Sequence, residues 1–144
     1  MRYLPMFAGL LLAGTAQAAD LSIDQAWVRA LPPTQTTTAG YLRIRNTGSE
    51  DRVLVGASSP VAGAAEIHTT AEVDGMMRMQ RLPRVLVPAG SEVSLEPGGM
   101  HMMLFRVERM PAPGEQVELC LQFEGLTEPS CSQADVLRQP PAKN

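Results

Sequence analysis

The sequence predicts an all-β domain, a β-sandwich or Greek-key barrel of eight or nine strands. Three observations predict it. Short segments of alternating apolar and polar residues recur at roughly 8–12-residue intervals. Turn chemistry built on Pro, Gly, Asn and Asp separates them. Past the first twenty residues no stretch repeats its apolar positions with a helical period. The 144 residues give room for one domain with a real core, and a composition 44% hydrophobic and 19% charged is that of a folded globular chain.

The elements follow in order. "LSIDQAWVRA" (21–30) alternates until "LPPTQTTT" breaks it with two prolines. "AGYLRIRN" (39–46) sets Leu42 and Ile44 on one face, with Tyr41, Arg43 and Arg45 on the other. "NTGSED" (46–51) is a turn, and "RVLVGASSP" resumes the extended chain. "AAEIHTT" (64–70) and "MMRMQRL" (76–82) flank Asp74–Gly75, a strong hairpin dipeptide. "SEVSLEPGG" turns Val93 and Leu95 inward before a Pro-Gly-Gly break. "HMMLFRVERM" (101–110) comes next, then "EQVELCLQFEG" with Val117, Leu119, Leu121 and Phe123 on one face.

The first nineteen residues read as a signal peptide. Arg2 supplies the positive end, Leu4–Gly14 the apolar run, and Ala16 and Ala18 the small residues before a cleavage point near Ala19 or Asp20. That run is short of the roughly 20 apolar residues a spanning helix needs, so no stable membrane insertion is expected. No Cys follows it for a bacterial lipid anchor, and no Arg-Arg marks the twin-arginine route. The expected organisation is a signal peptide at 1–19, a β domain at 20–137 and a flexible tail at 138–144. Without Arg2 the chain carries eleven basic and 15 acidic residues, a net charge of −4 with no basic stripe. Nucleic acid is therefore not an expected partner.

Export makes the two cysteines legible, because an oxidising compartment favours a disulfide. Antiparallel partners share a constant sum of residue numbers, and for Cys120 and Cys131 the midpoint falls at Gly125–Leu126. A type II′ turn there would set the two cysteines opposite one another. Their spacing suits a zinc site poorly.

Outside the signal segment there are seven methionines, six of them in two clusters: Met76, Met77 and Met79, then Met100, Met102 and Met103. Both histidines, His68 and His101, adjoin these clusters. Alternation along a strand sends His101 and Met103 to one face, their Cα atoms about 6.6 Å apart, and Met100 and Met102 to the other. His68 and Met79 lie on opposite arms of a hairpin whose midpoint for that pair is between Val73 and Asp74, close enough for near neighbours. Two imidazoles and two thioethers on one patch suit Cu(I). They suit Ca²⁺, Mg²⁺ and Zn²⁺ poorly, and a blue-copper centre would need a thiolate. Met76 and Met77, extra thioethers near Met79, read as either transient landing ligands or strand packing, and packing is the expectation. The same sulfurs also fit ordinary core filling, which leaves a metal-independent extracytoplasmic β-sandwich binding module as the alternative. An enzyme is not expected, since no nucleophile, base and acid fall into a set; Glu66 shares the face of His68 but reads as solvated.

The spacing His68-x10-Met79-x21-His101-x-Met103 resembles the signature of the PCuAC family of periplasmic copper chaperones. "AWVRALPP", "AGYLRIRNTGSEDRVLVGASSP", "AAEIH", "VPAGSEVSLEPGGMHMML" and "GEQVELCLQFEG" carry the likeness over about residues 21–136. The resemblance implies a cupredoxin-like Greek-key fold in the periplasm. It implies one Cu(I) held by His68, Met79, His101 and Met103. It also implies delivery toward the CuA centre in cytochrome c oxidase subunit II, alongside Sco-type proteins. The His- and Met-rich C-terminal extension of some members is missing here, where "QADVLRQPPAKN" has neither residue.

Overall fold

The computed structural model describes residues 20–143. The expected signal segment lies outside the described residues. Ten strands run from Leu21 to Leu137: β1 (Leu21–Arg29), β2 (Thr38–Asn46), β3 (Arg52–Ser58), β4 (Ala62–Val73), β5 (Met76–Arg81), β6 (Val85–Val87), β7 (Glu92–Leu95), β8 (His101–Val107), β9 (Gln116–Phe123) and β10 (Ser130–Leu137). Among the described residues there is no helix.

Seven strands close into a barrel in the order β3-β4-β8-β2-β1-β10-β9 and back to β3. The seam is the pairing of Ala57 with Ala65 between β3 and β4. β1 and β10 pair in parallel, and every other ladder is antiparallel. β5 extends the wall outward from β4, β6 adds to β3, and β7 adds to β2.

Alternation fills the interior as the sequence indicates. Val117, Leu119, Leu121 and Phe123 on β9 meet Leu42 and Ile44 on β2, Met102 and Leu104 on β8, and Val136 on β10. Burying each such side chain contributes about 1.5–3 kcal/mol. Asn46, fully buried at the end of β2, is satisfied on both sides of its amide. Its Nδ2 donates to the carbonyls of Glu50 and Val87, and its Oδ1 accepts from Gly48 N–H.

Four local expectations change. The strand count is ten, because β6 is a three-residue strand between Pro83 and Pro88, too short to show a period. Cys120 and Cys131 are indeed opposite each other and bonded, with Cα atoms 4.1 Å apart. Their hairpin, however, has no two-residue II′ turn. Gly125 (φ 76°) is the third residue of a Phe123–Leu126 turn, and the connection continues to Pro129. In the β4–β5 hairpin, Asp74 (φ 52°) and Gly75 (φ 77°) both adopt the left-handed conformation of a type I′ turn. That centres the register one residue later than the midpoint for His68 and Met79, so Met79 stands opposite Thr70 and His68 opposite Arg81. Finally, Met76 and Met77 do not pack: they are 55% and 67% exposed.

Candidate metal centre

The site is built where β8 begins. The chain turns through Pro97–Gly98–Gly99, with Gly98 in the left-handed region at φ 87°. Gly99 N–H donates to the Glu96 carbonyl at 3.0 Å, and Glu96 N–H donates to that of Met100 at 2.9 Å. This turn holds the Gly99 carbonyl where His101 Nδ1 reaches it at 2.9 Å. A ring nitrogen facing a carbonyl must carry the hydrogen, so in the neutral ring Nε2 holds a lone pair. Nε2 is buried and has no hydrogen-bond partner.

His68 stands directly across the β4–β8 ladder from His101. The ring centroids are 6.2 Å apart. Its Nε2 donates to Glu66 Oε2 at 2.8 Å, which leaves its Nδ1 lone pair buried and unpartnered. Glu66 is two residues before His68 and projects from the same face, so strand geometry alone brings the carboxylate to the ring. The hydrogen bond from His68 holds the Glu66 carboxyl below its usual range; partial burial opposes this, and the charge of Arg81 adds to it. Glu66 is thus bound to a ring rather than merely solvated, contrary to expectation.

The thioethers come from either side. Met103 shares the face of His101 and sits across from Glu66 on β4 and Ala39 on β2. Met79 is the diagonal neighbour of His68, a relation of about 7–8 Å between Cα atoms. Met79, His101 and Met103 line one cleft of about 240 Å³, together with Thr70, Arg29 and Tyr41. His68 is not in that lining and flanks it through His101. Met102, the neighbour of His101 and Met103 in sequence, points the other way into the core and is fully buried.

Two neutral imidazole nitrogens without partners, next to two thioethers, form a soft and uncharged donor set. Each imidazole is oriented through its other nitrogen, one by a carboxylate and one by a backbone carbonyl, as metal-binding histidines usually are. Sequence reasoning missed these two orienting groups. It had a signal for Glu66 in the i, i+2 spacing and none for the Gly99 carbonyl. It also missed the aromatic wall beside the cleft. Trp27 stacks on Tyr41 with centroids 4.5 Å apart, and the Arg29 guanidinium lies over both rings at 5.6 and 5.8 Å.

Other regions offer less. A larger open depression of about 770 Å³ lies at the opposite end of β4 and β8, lined by Arg106, Arg109 and small residues, and has neither His nor Met. Glu118 lies close to Cys120 and Cys131, but both sulfurs are in the disulfide and neither is a thiolate. No helix among the described residues is long and apolar enough to cross a membrane.

Comparison with known proteins agrees with this fold. The profile of the family described as "Putative lipoprotein LpqE-like" matches residues 21–131. The chain is 34% identical over 115 residues to "Putative lipoprotein Lxx21020" of Leifsonia xyli subsp. xyli, covering 78% of this chain and 68% of that one. It is 31% identical to the Cu(I) form of DR1885 from Deinococcus radiodurans, with a TM-score of 0.64 over 87% of this chain and 83% of that one. The apo PCuAC domain of PmoF1 shares the fold at 24% identity, with a TM-score of 0.69 over 84% of this chain and 96% of that one. The barrel is accordingly cupredoxin-like, and the chain is homologous to copper-binding PCuAC domains, which are not enzymes. A closed all-β barrel, a matched family profile and these relatives lead to one conclusion: the chain belongs to the LpqE-like family, that of the PCuAC domains.

Proposed function

We propose that the protein is an exported Cu(I) chaperone of the periplasm. Residues 1–19 direct its export, and residues 20–137 hold one copper ion through His68, Met79, His101 and Met103. The observation that carries this reading is the pair of buried, partnerless nitrogens, His68 Nδ1 and His101 Nε2, on adjacent paired strands beside two methionines. A buried lone pair without a partner carries a desolvation cost of about 1–3 kcal/mol, and a bound cation would offset it. The copper of the DR1885 relative supports the choice of ion.

Transfer proceeds by ligand exchange. Cu(I) tolerates low coordination numbers, so an acceptor's donor adds as a thioether leaves. Neither sulfur gains or loses a proton. The recipient we propose is the CuA centre of cytochrome c oxidase subunit II, with Sco-type proteins acting at the same centre. The competing reading, a metal-independent binding module, gives the exposed methionines a partner to cover them but gives the two bare nitrogens no purpose.

The deciding experiment is Cu(I) stoichiometry and affinity of residues 20–144, measured by competition with a chromophoric Cu(I) chelator. One tightly held ion is expected, with loss of affinity on replacing any of the four ligands. A domain that takes up no Cu(I), or four variants that bind as the parent does, overturns the reading.

A further inference from the structure

The β5 strand is exposed along its whole length, yet three of its six residues are methionines. Met76, Met77 and Met79 are three of the five large apolar side chains that stand in solvent among the described residues. Thioethers this exposed contribute little to packing, so core filling does not account for them. Only Met79 belongs to the ligand set.

The register separates the other two. Met77 and Met79 share a face of β5, with Cα atoms about 6.7 Å apart, while Met76 is on the opposite face. On the shared face, Met79 is opposite Thr70 and Met77 is opposite Glu72, an exposed carboxylate. From the hairpin tip inward, the face therefore presents Met77 with Glu72, then Met79, then the paired histidines. Soft donors form a file that ends at the cleft.

We propose that Met77 is a transient thioether ligand through which Cu(I) enters and leaves the site. This rests on the ligand set proposed above and adds a residue outside it. At the outer position the ion bonds to Met77 Sγ while still held by its donor's ligands. The donor's ligands leave as bonds to Met79 Sγ and the other site ligands form, and the bond to Met77 breaks last. The metal stays monovalent and no proton moves. Glu72 adds a negative charge where the incoming cation first arrives, and the long unbranched methionine side chain supplies the reach. Because Met77 is a ligand in neither the starting donor complex nor the final loaded site, it must speed loading and release by the same factor and leave affinity unchanged.

The test is stopped-flow transfer of Cu(I) between a bicinchoninate complex and the mature protein, in both directions, with equilibrium affinity measured in parallel. Leucine preserves the bulk of methionine and removes the sulfur. A second thioether raises the local donor concentration toward the millimolar range, so Met77→Leu is expected to slow both directions by about fivefold or more at unchanged affinity. Met76→Leu, also exposed but on the opposite face, is expected to change neither. Unaltered rates in Met77→Leu overturn the relay, and so does an equal slowing in Met76→Leu. A loss of affinity in Met77→Leu matching that of Met79→Leu makes Met77 a resident ligand and also overturns it. Unchanged affinity in Met79→Leu sinks the proposed ligand set itself, a different result from a failure of Met77 alone.

Discussion

His68 and His101 face one another across a single rung of the β4–β8 ladder, each with one ring nitrogen bonded and the other bare. One ring is steered by a carboxylate two residues upstream, the other by a turn carbonyl two residues upstream. In both, the neutral tautomer is fixed and the free lone pair lies inside the protein.

Glu66 should therefore matter to copper without touching it. Glu66→Gln keeps the shape but weakens the hold on His68, and loss of such an orienting partner typically costs about 10–100-fold in metal affinity. Competition titration should show that loss while the melting temperature of the metal-free domain hardly changes. Equal affinity in the variant would mean that His68 is oriented by something else.

Neighbouring methionines should separate stability from binding. Met102 is fully buried against Ile67 and the core, and Met102→Ala should cost about 2–5 kcal/mol in chemical denaturation with Cu(I) affinity retained in the folded fraction. Met103→Ala should do the opposite, weakening copper binding with the fold intact. If both variants only destabilise, Met103 is packing material.

Acid should remove one surface pairing on a predictable side of neutrality. Arg109 grips Glu115 through two hydrogen bonds at 3.0 and 3.1 Å, and this bond is the main reason its carboxyl lies below the ordinary 4.5. A depressed carboxyl stabilises the fold above its unfolded value, and that contribution fades as pH falls through the folded one. The pair is solvent-exposed and screened, so the effect is small. Thermal melts of the parent and Glu115→Gln should differ slightly at pH 7 and converge well below pH 4.5. A gap that widens on acidification would contradict the assignment.

The disulfide should serve the barrel and leave copper alone. It joins β9 to β10 across an 11-residue separation, on strands that contribute no proposed ligand. Replacing both cysteines with alanine should lower stability by about 2–3 kcal/mol, read from denaturation midpoints, with Cu(I) affinity unchanged. A drop in affinity would tie the two regions together.

Much of this was legible in the sequence because a strand has a period of two. Alternation alone put His101 with Met103 and set Met102 on the other face, and a constant residue-number sum paired the two cysteines. What failed was whatever depends on turn detail or on contacts far apart in sequence. The Asp74–Gly75 turn set Met79 opposite Thr70, so it is a diagonal rather than a direct neighbour of His68. The parallel pairing of β1 with β10 and the Ala57–Ala65 seam have no local signal. β6 hides between two prolines, and the exposure of Met76 and Met77 follows from β5 lying at the rim of the wall, which local composition does not reveal.

The accessibility of the outer sulfurs carries a chemical liability. An oxidant that converts a thioether to a sulfoxide replaces a soft donor by a polar oxygen, and reaches exposed sulfur first. Met77 at 67% and Met79 at 61% exposure stand in its path, whereas Met102 at 0% is shielded. Peroxide would thus disarm copper handling while the barrel stays folded, and a methionine sulfoxide reductase would restore it.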